Sequence, residues 1–194
     1  MVDRRRAVFL DRDGVINDNI YYADTDSWEG PRRREDFRLS AGALAGMEML
    51  QGAGFVLFIV SNQPNQAKAK ATRADHDAIH AAMMAQLAAG GISVAASYYC
   101  FHHPQGIVPE FSGACSCRKP SPHFLLTAAE DWNLDLSGSW MVGDRDSDIE
   151  CGHRAGVRTI RVGGGGDGPV PDFSAADLAA AAAIILANYS GAPP

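Results

Sequence analysis

The stretch Phe9-Leu10-Asp11-Arg12-Asp13-Gly14-Val15-Ile16-Asn17 decides the fold of this chain. Its apolar start continues Ala7-Val8 and predicts a short buried strand, and Gly14 predicts the turn that ends it. Open parallel sheets bind ligands at the carboxyl ends of their strands. Asp11 and Asp13 would lie there, and two crowded carboxylates cost Coulomb repulsion and desolvation. A cation or a reaction would justify that cost, whereas a solvated acidic turn is the simpler interpretation of this stretch alone.

The rest of the chain alternates between strand and helix patterns. Strands are predicted at 6–10, 54–60, 94–99, 139–142 and 157–162, and helices at 41–52, 73–89, 121–132, 145–155 and 174–188. This alternation predicts an α/β fold: a doubly wound, mainly parallel, Rossmann-like sheet with helices on both faces. The sequence has neither an internal repeat nor a linker, so we expect one domain over residues 1–194.

Composition narrows the classes of partner. With 17 basic and 23 acidic residues the net charge is −6, which argues against nonspecific nucleic-acid binding. The basic cluster Arg32-Arg33-Arg34 is more typical of a solvated face, although it is a possible contact for an anionic substrate. The sequence shows neither a membrane-length apolar run nor a signal-peptide core. We therefore expect a cytoplasmic monomer without a membrane partner.

Two further segments place polar residues beside predicted elements. Ser61 and Asn62 follow the second strand, where a hydroxyl and an amide can bind phosphoryl oxygens without adding charge. Lys119 precedes a helix with Pro122 in its first turn, and helix N-termini attract anions. Taken singly, each is equally typical of an ordinary turn, helix cap or basic surface pair.

The fourth strand ends in Gly143-Asp144-Arg145-Asp146-Ser147-Asp148. Asp144 and Asp148 are four residues apart, so they share a face if the segment is helical. Like charges at that spacing repel, and a nearby cation would explain them.

These pieces occur in the order DRDG at 11–14, SN at 61–62, K at 119 and GDxxxD at 143–148. Together they resemble the four motifs of the haloacid dehalogenase superfamily of phosphatases. Agreement of all four is far more specific than any one of them. The resemblance implies a phosphoric monoester hydrolase that depends on Mg²⁺ and forms an aspartyl-phosphate intermediate.

The same resemblance implies a role for each polar residue. Asp11 is the nucleophile, and Asp13 is the general acid and base. Mg²⁺ is held by the carboxylates of Asp11 and Asp144 and by the backbone carbonyl of Asp13. The residues that assist them are Ser61 and Lys119, which hold phosphoryl oxygens, and Asp148, which supports the metal shell through water or hydrogen bonds.

The cysteines predict a second metal site. Cys100 and His102 form a C-x-H clip, and Cys115 and Cys117 form a C-x-C clip after residues 103–114. Three thiolates and one imidazole suit a closed tetrahedral Zn²⁺ site with a structural role. The alternative is a set of buried cysteines without metal. We call residues 100–117 the cysteine loop and expect zinc to staple it.

The cysteine loop narrows the resemblance to the family of heptose-1,7-bisphosphate 7-phosphatases, whose histidinol-phosphate relatives have the same ligands with a shorter connection. This implies a small phosphorylated sugar as substrate, no large cap domain, and substrate contacts from Arg118 besides Asn62. The segments 24–36 and 64–70 depart from the family pattern and put the particular substrate in doubt. Two alternatives stay open: a phosphatase for histidinol phosphate or another small metabolite, and a non-catalytic zinc-binding module.

Overall fold

The structure is a computed structural model that describes residues 4–189. Its core is a six-stranded sheet in the order β5-β4-β1-β6-β7-β8, with every neighbouring pair parallel. Those strands are β1 Ala7–Leu10, β4 Val56–Asn62, β5 Ala96–Cys100, β6 Trp140–Gly143, β7 Arg158–Val162 and β8 Phe173–Ala175. Two further strands, β2 Ile20–Tyr22 and β3 Ser27–Glu29, form a separate antiparallel hairpin.

Helices cover both faces of the sheet, and β1 is therefore buried on both sides. The helices are α1 Ala43–Gly52, α2 Arg73–Ala89, α3 His123–Trp132, α4 Asp146–Ala155 and α5 Leu178–Ala187. Val8 and Leu10 belong to the apolar cluster that includes α1, α2 and α5. Ala7 and Phe9 belong to the cluster that includes α3 and α4. The alternation of side chains along one strand therefore divides the core into two layers.

The strand order creates a crevice at the end of β1. The chain builds outward from β1 through β4 to β5, then returns to the other side of β1 with β6 and continues through β7 to β8. Ligands bind at such a switch point in open α/β sheets. The predicted doubly wound fold is confirmed. Within residues 4–189 the hairpin and the cysteine loop are not accompanied by a large cap domain.

One predicted helix starts too early. The prediction of a helix over 174–188 is wrong at its beginning, because Phe173–Ala175 forms the edge strand β8 and pairs with β7. Helix α5 begins only after Asp177, whose side chain accepts a hydrogen bond from the Ala180 backbone N–H at 2.8 Å. The hairpin of β2 and β3 was also not predicted.

Two broader predictions remain as they were. The single domain over residues 1–194 stays a prediction, and its ends, 1–3 and 190–194, lie outside the described residues. In the part of the chain that the structure describes, helices that combine the length and the apolar character needed to cross a bilayer are absent.

Candidate active site

A pocket of about 270 Å³ opens at the carboxyl end of β1. Six of the predicted site residues line it, namely Asp11, Asp13, Asn62, Arg118, Lys119 and Asp148. The hairpin contributes Ser27, Trp28 and Glu29 to the opposite wall. Residues far apart in sequence are therefore brought together where the switch point of the sheet predicts a site.

Lys119 is the central cation of this pocket. Its Nζ donates to Asp11 Oδ1 at 2.8 Å and to the Val60 carbonyl at 2.7 Å, and it lies 2.6 Å from Asp148 Oδ1. Burial alone would lower the pKa of Lys119, but the carboxylates of Asp11 and Asp148 reverse this and raise it. Lys119 therefore stays charged although it is only 3% exposed.

Three carboxylates crowd together next to this lysine. Ligand oxygens of Asp11, Asp144 and Asp148 lie within 4.8 Å of one another. Burial, followed by the charges of Asp11 and Asp148, raises the pKa of Asp144 to about 7. Asp144 Oδ1 has no hydrogen-bond partner among the described residues. A single lysine does not balance three acids, so this oxygen-only group suits a hard divalent cation such as Mg²⁺.

Gly14 is what allows the first turn to approach this group. It adopts φ +83°, and a Cβ at this position would collide with the Asp144 carboxylate. Only glycine meets both conditions without strain. The turn after β1 and the turn after β6 therefore meet without an intervening side chain.

Asp13 is held differently from Asp11. Arg12, Asn17 and Gln63 all donate hydrogen bonds to its carboxylate. Burial would raise the pKa of Asp13, but the Arg12 guanidinium, with the hydrogen bonds, holds it below its usual value. Asp13 is therefore a carboxylate in the resting protein. An approaching phosphate dianion would raise its pKa again, because like charges favour the protonated form.

The polar residues at the carboxyl end of β4 mainly organise their neighbours. Asn62 Oδ1 accepts from the Lys119 backbone N–H and Asn62 Nδ2 donates to the Lys119 carbonyl, both at 3.0 Å. Ser61 Oγ accepts from Gln63 Nε2 at 3.0 Å. The amides of Asn62 and Gln63 are thus already engaged, and Asn62 fixes the backbone of the central lysine.

The predicted zinc ligands converge in the cysteine loop. Ligand atoms of Cys100, His102, Cys115 and Cys117 lie within 4.8 Å of one another. The three sulfur atoms are 3.2 to 3.6 Å apart, and Cys117 Sγ lies 3.8 Å from His102 Nδ1. Sulfur atoms around tetrahedral zinc lie roughly 3.8 Å apart, given Zn–S bonds of about 2.3 Å. The cluster is close to that geometry, and His103 lies outside it.

The two departing segments are joined to each other and to the cysteine loop. The Glu29 carboxylate of the hairpin accepts hydrogen bonds from Lys70 and Arg32. The Ala67 carbonyl accepts from the backbone N–H groups of Ile107 and Val108 at 2.7 and 3.1 Å. Hairpin, loop 64–70 and cysteine loop therefore form one connected wall beside the pocket.

Three cations face the pocket without a close carboxylate partner. Lys68 and Arg118 line it without an ion pair to a described residue, and Arg145 lies 3.8 Å from Asp144. Burial, together with the charges of Lys70, Arg118 and Arg145, lowers the pKa of Lys68. Burial also lowers the pKa of Arg118. This crowding of like charges would be relieved by an anion.

The sequence interpretation missed several of these residues. Arg12 and Gln63 form the surroundings of Asp13, Glu29 joins the wall segments, and Lys68 and Arg145 add positive charge. Arg145 was detectable, because it lies inside the GDxxxD motif. The inward direction of the Arg12 side chain was not detectable from the sequence, because an arginine after a strand is normally exposed.

Comparisons with known proteins agree on one family. The family model described as HAD-hydrolase-like matches residues 116–188. The D-glycero-beta-D-manno-heptose-1,7-bisphosphate 7-phosphatase of Rhodopseudomonas palustris is 36% identical over 161 residues, which cover 83% of this chain and 85% of that protein. The D-glycero-alpha-D-manno-heptose-1,7-bisphosphate 7-phosphatase of Photorhabdus laumondii is 33% identical over 78% of this chain and 79% of its own.

A solved structure gives the same result in three dimensions. The D,D-heptose 1,7-bisphosphate phosphatase from B. bronchiseptica, complexed with magnesium and phosphate, superimposes with a TM-score of 0.79 and 28% identity. The match covers 95% of this chain and 99% of that one.

Proposed function

This chain belongs to the haloacid dehalogenase-like phosphatases, in the family of the heptose-1,7-bisphosphate 7-phosphatases, and from that membership we propose that it removes the 7-phosphate of D-glycero-D-manno-heptose 1,7-bisphosphate. It is a Mg²⁺-dependent phosphoric monoester hydrolase. The observation that carries the substrate proposal is a group of three cations next to the catalytic lysine: Lys68 and Arg118, which have no ion pair to a described residue, and Arg145, which lies 3.8 Å from Asp144. One transferred phosphoryl group does not require all of them.

The carboxylates of Asp11 and Asp144 and the backbone carbonyl of Asp13 are the proposed Mg²⁺ ligands. The donor set supports this assignment, because it consists of oxygen atoms and carries more negative charge than Lys119 offsets. When bound, the ion offsets the repulsion between the nucleophile and the phosphate. Asp148 is assigned to positioning, since its 2.6 Å ion pair holds Lys119 in place.

The reaction proceeds in two steps in this proposal. An Asp11 carboxylate oxygen attacks phosphorus, and the ester P–O bond breaks with its electron pair on the sugar oxygen. Protonated Asp13 gives its proton to that oxygen, which releases the sugar alcohol. Asp13 then takes a proton from water, whose oxygen attacks the aspartyl-phosphate, and inorganic phosphate leaves as Asp11 is restored. Ser61 and Lys119 hold the phosphoryl oxygens as charge shifts.

Zinc in the cysteine loop has a structural role in this proposal. Cys100, His102, Cys115 and Cys117 supply four protein ligands, which leaves no open position for a substrate. Burial, followed by the neighbouring Cys117 thiol, raises the pKa of the Cys100 thiol well above its ordinary value. A cation that stabilises thiolates would remove that cost.

The second phosphate of the substrate is assigned to Arg118, with Lys68 and Arg145 beside it. Arg118 Nη1 donates to the His102 carbonyl at 3.1 Å, so the cysteine loop fixes its direction. A guanidinium fork suits a phosphate better than a neutral hydroxyl. A bisphosphate thus meets two separate positive regions, Lys119 at the transferred group and Arg118 at the distal one.

Steady-state kinetics of an Arg118→Ala variant test the proposal. Losing one charge-assisted contact of roughly 1.5–3 kcal/mol predicts that kcat/KM on heptose 1,7-bisphosphate falls about 10- to 150-fold. Activity on a generic monophosphate ester should fall much less. Arg158→Ala, at the amino end of β7, is the matched control and should leave kcat/KM on both substrates unchanged.

Equal losses of kcat/KM on both substrates would show that Arg118 does not bind the second phosphate. If the wild-type protein prefers histidinol phosphate to the bisphosphate, the heptose assignment is overturned, but the assignment as a phosphatase stands. Turnover retained by Asp11→Asn, in protein free of contaminants, would overturn the nucleophile.

A further inference from the structure

A fully buried arginine lies directly beside the proposed acid and base. Arg12 has no exposed surface and is the largest fully buried side chain among residues 4–189. Its Nε donates to Asp13 Oδ1 at 2.9 Å and its Nη2 to Asp13 Oδ2 at 3.2 Å. Burying a guanidinium is costly unless it is paired. Arg12 is paired with Asp13, the carboxylate that serves as acid and base in the proposed reaction.

Two amides complete the surroundings of this carboxylate. Asn17 Nδ2 donates to Asp13 Oδ1 at 3.0 Å, and Gln63 Nε2 donates to Asp13 Oδ2 at 2.8 Å. A carboxylate has about four acceptor positions, so these donors occupy all of them. The side chain of Asp13 is therefore held in a single orientation.

The two carboxylate oxygens of Asp13 accept hydrogen bonds of different lengths. Oδ1 accepts at 2.9 and 3.0 Å, whereas Oδ2 accepts at 2.8 Å from Gln63 and at only 3.2 Å from Arg12. That Arg12 nitrogen also has a shorter bond, to Gln63 Oε1 at 2.7 Å. The contact of Arg12 with Oδ2 is therefore the longest of the four, and Gln63 is the closer of the two donors to Oδ2.

Of the three residues that donate to Asp13, Gln63 alone lines the pocket in the part of the chain that the structure describes. Its amide direction is fixed, because Oε1 accepts from Arg12 and Nε2 donates to both Asp13 and Ser61. Arg12 and Asn17 have no exposed surface. Gln63 therefore connects the buried arginine to the side of Asp13 that substrate reaches.

We propose that Gln63 is a positioning residue for proton transfer: backed by Arg12 and Asn17, it orients Asp13 so that Oδ2 carries the proton to the leaving ester oxygen. This inference rests on the proposed role of Asp13. It assigns to Gln63 a function in the acid step and not a direct contact with the phosphoryl group.

The leaving group separates a positioning role from a purely structural one. A sugar alkoxide needs a proton as the P–O bond breaks, whereas p-nitrophenolate leaves without one. The constant kcat/KM reports the first phosphoryl transfer, so it isolates the acid step. A loosened fold would lower kcat/KM on both substrates alike, whereas a misplaced Asp13 lowers it on the sugar phosphate alone.

The experiment compares Gln63→Met with wild type and Asp13→Asn on heptose bisphosphate and p-nitrophenyl phosphate, at saturating Mg²⁺. Asp13→Asn should lose roughly 10²- to 10⁴-fold in kcat/KM on the sugar phosphate, the usual contribution of a general acid. Gln63→Met should lose at least about 10-fold on the sugar phosphate and less than about 3-fold on the aryl phosphate, part of the same contribution. Gln66→Met is the matched control, since Gln66 is a nearby buried amide without a hydrogen-bond partner among the described residues. It should keep the wild-type ratio of the two substrates.

Each outcome decides between the assignments. If Asp13→Asn loses equally on both substrates, the proposed role of Asp13 fails. If Asp13→Asn discriminates between them and Gln63→Met does not, the inference about Gln63 alone is overturned. Thermal unfolding checks that the variants fold, and if Gln63→Met does not, Gln63→Asn withdraws the amide by one methylene and must show the same discrimination.

Discussion

His76 shows how one buried side chain makes the stability of this protein depend on pH. The ring lies between Tyr99 and Phe101, at centroid distances of 4.5 and 4.8 Å, and its Nε2 has no partner among the described residues. Burial, followed by the charge of Arg12, lowers the pKa of His76 to about 4. His76 is therefore neutral in the folded state at a pH where the unfolded chain already binds a proton.

We expect His76→Phe to flatten the dependence of stability on pH. Because the folded pKa is below the unfolded value of 6.5, the contribution is complete above pH 6.5 and is lost as the pH falls towards 4. The loss is roughly 3 kcal/mol at most, because the pKa of His76 is about 4 in the folded state and 6.5 in the unfolded chain. Urea unfolding at several pH values across this window measures it, with the exposed His123→Phe as control. Parallel curves for wild type and His76→Phe would contradict the prediction.

The cysteine loop is the element whose stability depends most on a metal in our proposal. Its described contacts to loop 64–70 are backbone hydrogen bonds to Ala67. We expect Cys115→Ser to lower the bound zinc and the melting temperature by several degrees, because a closed metal site contributes folding free energy. Elemental analysis and thermal unfolding measure the two effects. Cys151→Ser, outside the cluster, is the control for zinc content, and unchanged zinc in Cys115→Ser would show that the site is misassigned.

The carboxylate of Glu29 joins the hairpin to Lys70 of loop 64–70. Burial would raise the pKa of Glu29, but hydrogen bonds from Lys70, Ser27, Thr25 and Arg32 lower it to about 2. Glu29→Gln removes the charge and keeps the shape. We expect KM for the sugar phosphate to rise by up to about 10-fold, the equivalent of roughly 1.4 kcal/mol, with kcat nearly unchanged, because the hairpin shapes the pocket and carries none of the proposed catalytic groups. Glu48→Gln, on the exposed surface of α1, should change neither constant, and a fall in kcat alone would argue against this role.

At the scale of the whole molecule, the parallel sheet and its helices could be predicted because their signals are local. Strands β1, β4 and β6 are largely apolar runs, and glycine or polar residues mark their ends. The hairpin strands and β8 have three residues each and depend on partners that sequence periodicity does not reveal. Ser174-Ala175-Ala176 is typical of a helix, and only pairing with β7 makes part of it a strand.

The candidate site also contains residues that local sequence signals indicate and residues that they do not. Four residues of the site could be predicted to meet because each lies beside a strand end or a helix start. The structure brings these residues together: Asp11, Lys119, Asp144 and Asp148. The buried direction of Arg12 depends on Gln63, a residue distant in sequence, so no local pattern indicates it.

The uneven distribution of charge affects how substrate arrives. The whole chain carries a net charge of −6 and repels an approaching phosphate, whereas the cations at the pocket attract it only within about one Debye length, about 8 Å at physiological salt. At contact distance the local field dominates the encounter. Added salt should therefore slow capture, so that kcat/KM falls as ionic strength rises while kcat stays nearly constant. The fall should be steeper for a bisphosphate than for a monophosphate, because the second phosphate adds negative charge and the ligand loses more attraction when the field is screened.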